Sequence, residues 1–281
     1  MKHLLVPTDF SPEAQYALEA AVQLARHTGG RVTLLHVADV PHSSGFVSTG
    51  GRTSTGDMAN VFTLKLLQAT KRRMHEQMDL ATRLASSVPV HDMVQTGSFE
   101  AAVLDVIQEQ QVDLVVLGTR AHTSWQQFFL PSHAEQVVRR APCPVLTIKQ
   151  PVGEFAVRHL VFASDFSPEA DRAVPGLRQL LALFPDATLH LLDVVPGANR
   201  HDAALASIRA FAERHQLPPH VPEVFDAPRP SVGIPRFAEQ AHADLIVMLT
   251  HGHTGLSHLL HQNTAEDVSL HASAPVLTKH A

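Results

Sequence analysis

The sequence predicts an α/β fold built from two tandem doubly wound domains, each with a five-stranded parallel-type sheet flanked by helices. Three observations support this. The length of 281 residues exceeds the roughly 100–200 residues of a single core. Short, wholly apolar runs alternate with segments of helical periodicity, as in parallel sheets covered on both faces. One set of motifs also occurs twice in the same order.

The repeat decides the domain organisation. Residues 3–14 (HLLVPTDFSPEA) recur at 159–170 (HLVFASDFSPEA), with eight of the twelve positions identical. Residues 113–117 and 144–147 recur at 244–248 and 275–278. We call residues 1–150 copy one and residues 157–281 copy two. They are the two predicted domains, and the Pro/Gly-containing linker between them has its boundary near residue 153.

Copy one alternates strands and helices from its first residues. Residues 4–6 form an apolar strand, after which Ser11 is a predicted N-cap and Pro12 occupies the first helical position. Apolar residues recur at helical spacing from 14 to 25, and Gly29 and Gly30 end that helix. The remaining predicted elements are strand 32–37, helix 57–86, strand 90–94, helix 97–110, strand 114–117, helix 132–140 and strand 144–148.

Copy two repeats this order with two expected differences. Pro175 and Gly176 are predicted to end or kink its first helix, and its second helix, about 201–215, is shorter. Ser167 is expected to cap the first helix as Ser11 does. Strands 144–148 and 275–278 are short, apolar and last in their copies, so we predict that they meet in an internal pseudo-dimer rather than leave exposed edges.

Composition excludes several classes of protein. The net charge of −5 offers no electrostatic footprint for nucleic acid or an anionic membrane. The single cysteine, Cys143, excludes an intrachain disulfide, and the apolar run before Pro7 is too short for a signal peptide. No run approaches the roughly 20 apolar residues of a membrane span. We therefore predict a cytoplasmic protein that binds neither nucleic acid nor membrane.

The candidate ligand site follows from the fold. In an open parallel sheet, ligands bind beyond the carboxyl ends of the strands, near the point where strand order reverses. Segments 7–9, 37–39, 118–120 and 128–132 should converge there. Arg120 and the Ser132 hydroxyl could hold a phosphate. Asp9 could accept hydrogen bonds from a base or ribose, or serve only as a strand-end turn residue.

The motifs PTDFS, LLHV, DLVVLGT, AEQV and APCPVL, in this order, resemble a universal stress protein domain, and the resemblance covers both copies. It implies a tandem protein with an adenine nucleotide alpha hydrolase-like fold and a regulatory or interaction role in the stress response. It also implies an unidentified protein partner and a possible homodimer. By the same resemblance, ATP or AMP could bind copy one, and no other cofactor is expected. The implied binding residues are Thr8, Asp9, Val37, Gly118, Arg120 and Ser132.

Members of that family that bind ATP share a signature of glycine, two residues, glycine, nine residues, glycine, then serine or threonine. Both copies depart from it. Pro131 removes an amide donor, and Leu249 is expected to put a large side chain in the path of a phosphate. Any nucleotide should therefore bind copy one, weakly and without dependence on the γ-phosphate. The signature positions are Gly118, Ala121, Pro131 and Ser132 in copy one, and Leu249, Gly252, Gln262 and Asn263 in copy two.

Signatures of known enzyme classes are missing, so no catalytic residue is assigned and an enzymatic role is not favoured. The rival interpretation is a weak nucleotide hydrolase or phosphotransferase, for which only Asp9 and Asp39 offer carboxylates. A second alternative is a histidine-dependent module that responds to metal or pH. Its candidate cluster is expected to be a solvated loop without metal, and comprises His251, His253, His258 and His261. Cys143 is expected to be buried, and the Gly/Ser/Thr-rich stretch 42–56 to be a mobile loop that could cover a ligand.

Overall fold

The computed structural model describes residues 1–38, 55–119, 133–250 and 264–280, without the side chains of 55–67, 133, 250 and 280. Copy one contains β1 His3–Pro7, α1 Pro12–Thr28, β2 Arg31–Ala38, α2 Thr55–Leu84, β3 Val90–Thr96, α3 Phe99–Glu109, β4 Leu114–Gly118, α4 His133–Arg140 and β5 Val145–Ile148. Copy two contains β6 His159–Ala163, α5 Val174–Leu183, β7 Thr188–Val195, α6 His201–Arg214, β8 His220–Asp226, α7 Pro230–Gln240, β9 Leu245–Thr250, α8 Thr264–His271 and β10 Val276–His280.

The ten strands of the described residues belong to one sheet, in the order β3-β2-β1-β4-β5-β10-β9-β6-β7-β8. Neighbouring strands are parallel within each copy, whereas β5 and β10 pair antiparallel. The predicted pair of five-stranded parallel sheets is confirmed, and the two join edge to edge. The strand order reads the same from either end, as a pseudo-two-fold axis between β5 and β10 requires.

Two threonines repeat this pseudo-symmetry at the contact between β5 and β10, which we call the seam. Thr147 of β5 donates its hydroxyl hydrogen to the Val276 carbonyl oxygen, and Thr278 of β10 donates to the Val145 carbonyl oxygen, each at 3.3 Å. Both threonines are buried, so these bonds satisfy hydroxyls that would otherwise be costly to bury. The pairing of the last strands, predicted from their apolar character, is confirmed.

The predicted start and end of helix α1 are confirmed. The Ser11 hydroxyl accepts a hydrogen bond from the Ala14 amide at 3.2 Å, and Pro12 lies in the first turn. Gly29 ends the helix in the left-handed region, with φ of 60°. These contacts place the start of α1 directly beyond the end of β1.

The corresponding segment of copy two differs from the prediction. It is a 3-10 helix over Pro168–Ala173, and the α-helix begins only at Val174, so Pro175 starts α5 instead of interrupting it. Ser167 is not a side-chain cap, because the Ala170 amide donates to the Ser167 carbonyl oxygen at 3.0 Å, the bond of a 3-10 turn. The predicted interruption at Pro175 is therefore wrong, and the change from 3-10 helix to α-helix lies at Val174 instead.

The helices cover both faces of the sheet. One core cluster combines apolar side chains of α1, α2, α5 and α6 and runs through both copies, while α3 with α4 and α7 with α8 cover separate clusters on the other face. The linker joins the shared core, since Phe155 and Val157 are buried. The Gln23 side chain accepts a hydrogen bond from the Phe155 amide at 2.7 Å and donates to the Gly153 carbonyl oxygen at 3.0 Å. Within the described ranges, no helix has the length and apolar character needed to cross a membrane.

Candidate functional site

The reversal of strand order lies between β1 and β4. Strand β1 pairs with β2 on one side and with β4 on the other, so the carboxyl ends of these three strands share one edge of the sheet. Thr8 and Asp9 follow β1, Val37 lies near the end of β2, and Gly118 ends β4. The structure thus brings four of the six predicted site residues to one edge. Arg120 and Ser132 lie outside the described residues.

The turn after β1 is held by side chains that accept backbone hydrogen bonds. The Phe10 amide donates to the Thr8 hydroxyl at 3.0 Å, and the Ser11 amide donates to Asp9 Oδ1 at 2.9 Å. Phe10 lies in the left-handed region, with φ of 63°, which these bonds support. The turn role of Asp9 is therefore confirmed. Its side chain is exposed, and the bond uses Oδ1, so Oδ2 is the oxygen that a ligand donor would meet.

Copy two builds the same turn. The Phe166 amide donates to the Ser164 hydroxyl and the Ser167 amide to Asp165 Oδ1, each at 3.1 Å, and Phe166 has φ of 53°. The turn is therefore a property of the repeated motif and does not distinguish the copies. Any functional difference has to come from the surrounding side chains.

Gly118 has a packing role that the sequence did not reveal. A Cβ built on Gly118 would lie 2.2 Å from the carbonyl carbon of Glu13 and 2.4 Å from the amide nitrogen of Ala14. Only a glycine allows the first turn of α1 to approach the end of β4 this closely. The close packing of α1 therefore accounts for a glycine at position 118 without any contact to a phosphate.

Leu249 occupies the equivalent position of copy two. Its side chain is partly buried and packs on the core shared by the two copies, which includes Phe166 and Ala170. The sequence predicted that the Leu249 side chain would lie in the path of a phosphate, whereas the structure packs it against the core. A leucine here leaves no room for the close helix approach seen at Gly118, and the facing segment of copy two is the 3-10 helix.

Thr119 is a site residue that our sequence reasoning did not single out. It follows β4 directly, and its amide donates to the Ile148 carbonyl oxygen at 2.9 Å. Its hydroxyl is buried and has no hydrogen-bond partner among the described residues. A buried hydroxyl is costly to leave unpaired, so a polar group from elsewhere in the protein or from a ligand is expected beside it. Its position directly after a buried strand was the available signal.

Charge distinguishes the two copies at this edge. In copy one, His36 Nδ1 donates to the Thr8 carbonyl oxygen at 2.9 Å, and its ring lies 4.6 Å from that of Phe10. The Arg73 guanidinium of α2 lies over the same Phe10 ring, 5.5 Å from its centroid. Copy one therefore presents two basic side chains beside the turn.

In copy two, Asp193 takes the place of His36, as the register with β6 shows. Burial, reinforced by the neighbouring Asp165 carboxylate, raises the pKa of Asp193 to about 6. Phe166 has no arginine over its ring in the described contacts; it packs edge-on against Phe211 of α6, with ring centroids 5.3 Å apart. Beside its turn, copy two therefore has the carboxyl group of Asp193 and the aromatic ring of Phe211, where copy one has His36 and Arg73.

Several predicted features lie outside the described residues. They include most of the stretch 42–56, whose last two residues begin α2, and the histidine cluster between residues 251 and 261. The same holds for Asp39, Ala121, Pro131, Gly252, Gln262 and Asn263. In the described part of the chain, no group of three or more His, Cys, Asp or Glu side chains could hold a metal ion. Cys143 is buried as expected, and burial raises the pKa of its thiol to about 11.

Two stretches of the chain, residues 1–149 and 156–279, each match the model of the family described as "Universal stress protein family". The chain belongs to the universal stress protein family. The two matches confirm the tandem organisation inferred from the repeat. The domain limits of 1–150 and 157–281 remain a prediction.

This universal stress protein has relatives that match along almost its whole length and others that match about half of it. Universal stress protein Slr1230 of Synechocystis is 28% identical and aligns over 99% of both chains. The crystal structure of a universal stress protein from Archaeoglobus fulgidus covers 99% of this chain and 98% of its own, with a TM-score of 0.71 and 18% identity. A further universal stress protein, solved in complex with cAMP, covers 53% of this chain and 96% of its own, with a TM-score of 0.40 and 18% identity, and that ligand is a property of that protein.

Proposed function

We propose that this universal stress protein is a stress-response regulatory or interaction protein whose copy one binds an adenine nucleotide weakly, whereas copy two does not. One observation carries the asymmetry. Both turns carry an aspartate, Asp9 or Asp165, but copy one has His36 and Arg73 beside the turn, whereas copy two has Asp193 in the place of His36. Nucleotides are anions, so the edge of copy one is the more favourable for them.

Electrostatics supports this assignment. Two unit charges about 4 Å apart interact by about 4 kcal/mol at the effective dielectric constant of a protein surface. A phosphate approaching either copy would meet the aspartate of the turn, but in copy two Asp193 would in addition have to stay protonated or add to the repulsion. In copy one the same phosphate would meet the Arg73 guanidinium, and a protonated His36 would add to the attraction.

The nucleotide contacts follow from the turn and the strand ends. In this proposal Asp9 Oδ2 accepts from the ribose or base, and the Val37 backbone lies against the base. Thr8 holds the turn, and the Thr119 hydroxyl gains a partner. Gly118 contributes indirectly, by letting α1 approach β4. Arg120 and Ser132 remain predicted phosphate ligands.

No catalytic residue is part of the proposal. Asp9 is the described carboxylate directly after β1, and its Oδ1 is committed to the turn. Hydrolysis would need a carboxylate that holds a metal and a second group that orients water. We therefore favour binding without turnover over a nucleotide hydrolase or phosphotransferase.

We further propose a cytoplasmic location, because the one cysteine is a buried thiol in a chain without a disulfide framework. The protein partner of the regulatory role is unidentified. A homodimer formed from two tandem chains is compatible with the proposal and is tested by native mass spectrometry of the purified protein.

Titration calorimetry with ATP, ADP and AMP tests the binding proposal. The wild-type protein should bind one nucleotide per chain, with similar affinity for the three ligands. Asp9→Ala should abolish binding, and His36→Asp should weaken it about tenfold or more by introducing the charge of copy two. Asp165→Ala is the matched control, because it removes the same turn bond from copy two and should leave binding intact.

Thermal melts of both alanine variants exclude a trivial loss by unfolding, since each loses one equivalent turn bond. Equal loss of binding in Asp9→Ala and Asp165→Ala would contradict the asymmetry. A strong preference for ATP would show that the γ-phosphate is bound after all, against the departures from the glycine signature. Undetectable binding of all three nucleotides by the wild type would refute the proposal.

A further inference from the structure

The sheet ends in β3 on one side and in β8 on the other, and each of these strands pairs with a single neighbour among the described strands. An end strand presents backbone N–H and C=O groups to which another chain can pair. The last strands of the two copies are already paired at the seam, which Lys149 also crosses to donate from Nζ to the Ala272 carbonyl oxygen at 2.6 Å. Of the described strands, β3 and β8 are therefore the ones whose edges can meet another molecule.

The hydrogen bonds to β2 show which residues of β3 face outwards. The Val32 amide donates to the Pro89 carbonyl oxygen at 2.9 Å, and Val32 is in register with Val90. In a parallel pair, a residue bonds to the residues on either side of its register partner, so the odd-numbered residues of β3 pair with β2. The even-numbered residues 90, 92, 94 and 96 therefore direct their N–H and C=O groups away from the sheet, and all four have an amide hydrogen.

The outward row of β8 contains a proline. The Ala227 amide donates to the Val195 carbonyl oxygen at 3.1 Å, and Val195 is in register with Asp226, so the outward residues of β8 are again even-numbered. Pro222 is one of them and lacks the N–H that an added strand would need. The register of both copies places Asp92 at the equivalent position of β3. The edge of β8 is thus protected against strand pairing, and the edge of β3 is not.

Strand β3 is held on both faces but exposed along its edge. Val90 packs against the core shared by the two copies, and Met93 packs against the cluster covered by α3 and α4. Val94 is by contrast 42% exposed, and the outward residues Asp92 and Thr96 are exposed as well. The strand is therefore already ordered in the free molecule, so pairing with a partner would cost little further conformational entropy.

We propose that β3 is a homodimer interface, at which the β3 strands of two chains pair antiparallel about a two-fold axis and join their sheets. In such an interface each residue meets a residue of the same surface patch. We infer the register in which Val94 lies opposite the partner's Val94, and Asp92 opposite the partner's Thr96. This register buries the exposed valine against its own copy, and the threonine hydroxyl can donate to the carboxylate. A register centred on Asp92 would instead place two carboxylates opposite each other, which is unfavourable.

Pro222 also favours a closed dimer over an open assembly. Pairing of β3 with β8 of the next chain would be heterologous and would extend into a filament, but Pro222 removes a donor that this pairing needs. A pair of β3 strands closes after two chains, because the outer ends of the joined sheet are then β8 edges. The contact is small beside the roughly 1,200–2,000 Å² of a stable interface, so the dimer should dissociate on dilution. This inference does not depend on nucleotide binding.

Sedimentation velocity of the full-length chain over a dilution series tests the proposal. The wild type should change from dimer to monomer on dilution. Asp92→Pro transfers the proline of β8 to the equivalent position of β3 and should leave only monomer. Val94→Lys should weaken dimerisation about tenfold or more, because two lysines would lie opposite each other. Val221→Lys is the matched control, since Val221 of β8 is 38% exposed, and this variant should dimerise as the wild type does.

Cysteine cross-linking tests the register. Val94→Cys should give a disulfide-linked dimer on mild oxidation, because residues opposite each other in such a pair have Cα atoms about 5.5 Å apart, within the range of a disulfide. Cys143 is buried, so neither the wild type nor Val221→Cys should form this dimer. Thermal melts establish that each variant is folded, and Val94→Lys carries the test if Asp92→Pro is not. A wild type that stays monomeric throughout, a dimer that persists in the folded β3 variants, or equal cross-linking of the two cysteine variants would overturn the proposal.

Discussion

Arg139 of copy one and Glu266 of copy two form a two-pronged ion pair across the seam. Arg139 Nε lies 2.9 Å from Glu266 Oε1, and a second guanidinium nitrogen lies 3.0 Å from Oε2. The Glu266 side chain is only 10% exposed, against 53% for Arg139. The repeat places Glu135 and Leu270 at the equivalent positions, so this bidentate pair has no symmetric mate between those two residues. The ion pair therefore joins the two copies without a counterpart related by the pseudo-two-fold axis.

Removing the arginine should therefore weaken the seam. Arg139→Met leaves a buried carboxylate without its guanidinium and should lower the free energy of unfolding by about 1–3 kcal/mol. The double variant with Glu266→Gln should lose less than the sum of the single variants. Urea unfolding of all three measures the coupling. Arg140→Met is the control, because its partner Glu100 belongs to the same copy; equal effects of the two arginine substitutions would contradict a special role at the seam.

Gly118→Ala should destabilise copy one. The added Cβ would meet Glu13 and Ala14 backbone atoms at 2.2–2.4 Å, so α1 must shift, at a cost of about 1–3 kcal/mol. Gly176→Ala is the matched control. Gly176 lies in α5 with no atom within 4 Å of an added Cβ, and alanine there should stabilise by about 0.5–1 kcal/mol. Thermal melts of the two variants should shift in opposite directions; a neutral Gly118→Ala would show that the close approach is not required.

Asp193 should make copy two less stable as pH rises. Its folded-state pKa, raised to about 6, exceeds the value of about 3.9 in an unfolded chain, so the stabilising protonated form is lost between about pH 4 and pH 6. Asp193→Asn should be more stable than the wild type above pH 6 and similar to it near pH 4. Chemical denaturation across this range checks the difference. Asp186 lies in an exposed turn, so the stability of Asp186→Asn should depend on pH as that of the wild type does. If Asp193→Asn showed the same pH dependence as Asp186→Asn, the raised pKa of Asp193 would be contradicted.

Lys149 should have the opposite pH effect at higher pH. Its folded-state pKa of about 7 lies below the unfolded value of about 10.4, so deprotonation stabilises the native state as pH rises from 7 towards 10. The gain should approach about 1.4 kcal/mol per pH unit in the wild type. Lys149→Met should lack this gain, while Lys2→Met should keep it. Parallel stability profiles of wild type and Lys149→Met would show that the amine is solvated in the native protein.

Most of the fold could be predicted because its signals are local or repeated. Ser11, Pro12 and Gly29 bound α1 through contacts within a few residues, and the apolar final strands predicted their own pairing. The prediction was wrong at Ser167 and Pro175, where the same local signals are present. There the facing residue on β9, Leu249, lies about eighty residues away along the chain and leaves no room for a helix packed like α1.

The sequence by itself determined the two tandem copies, their α/β alternation and the edge where Thr8, Asp9, Val37 and Gly118 meet, because a repeated motif and a parallel sheet fix these without long-range detail. Only the tertiary structure decided that Gly118 serves helix packing and that His36 of copy one is exchanged for Asp193 beside the same turn. It alone also showed that Arg139 and Lys149 reach across the seam. These facts depend on which side chains distant strands and helices bring within a few ångströms, and spacing along the chain does not encode those distances.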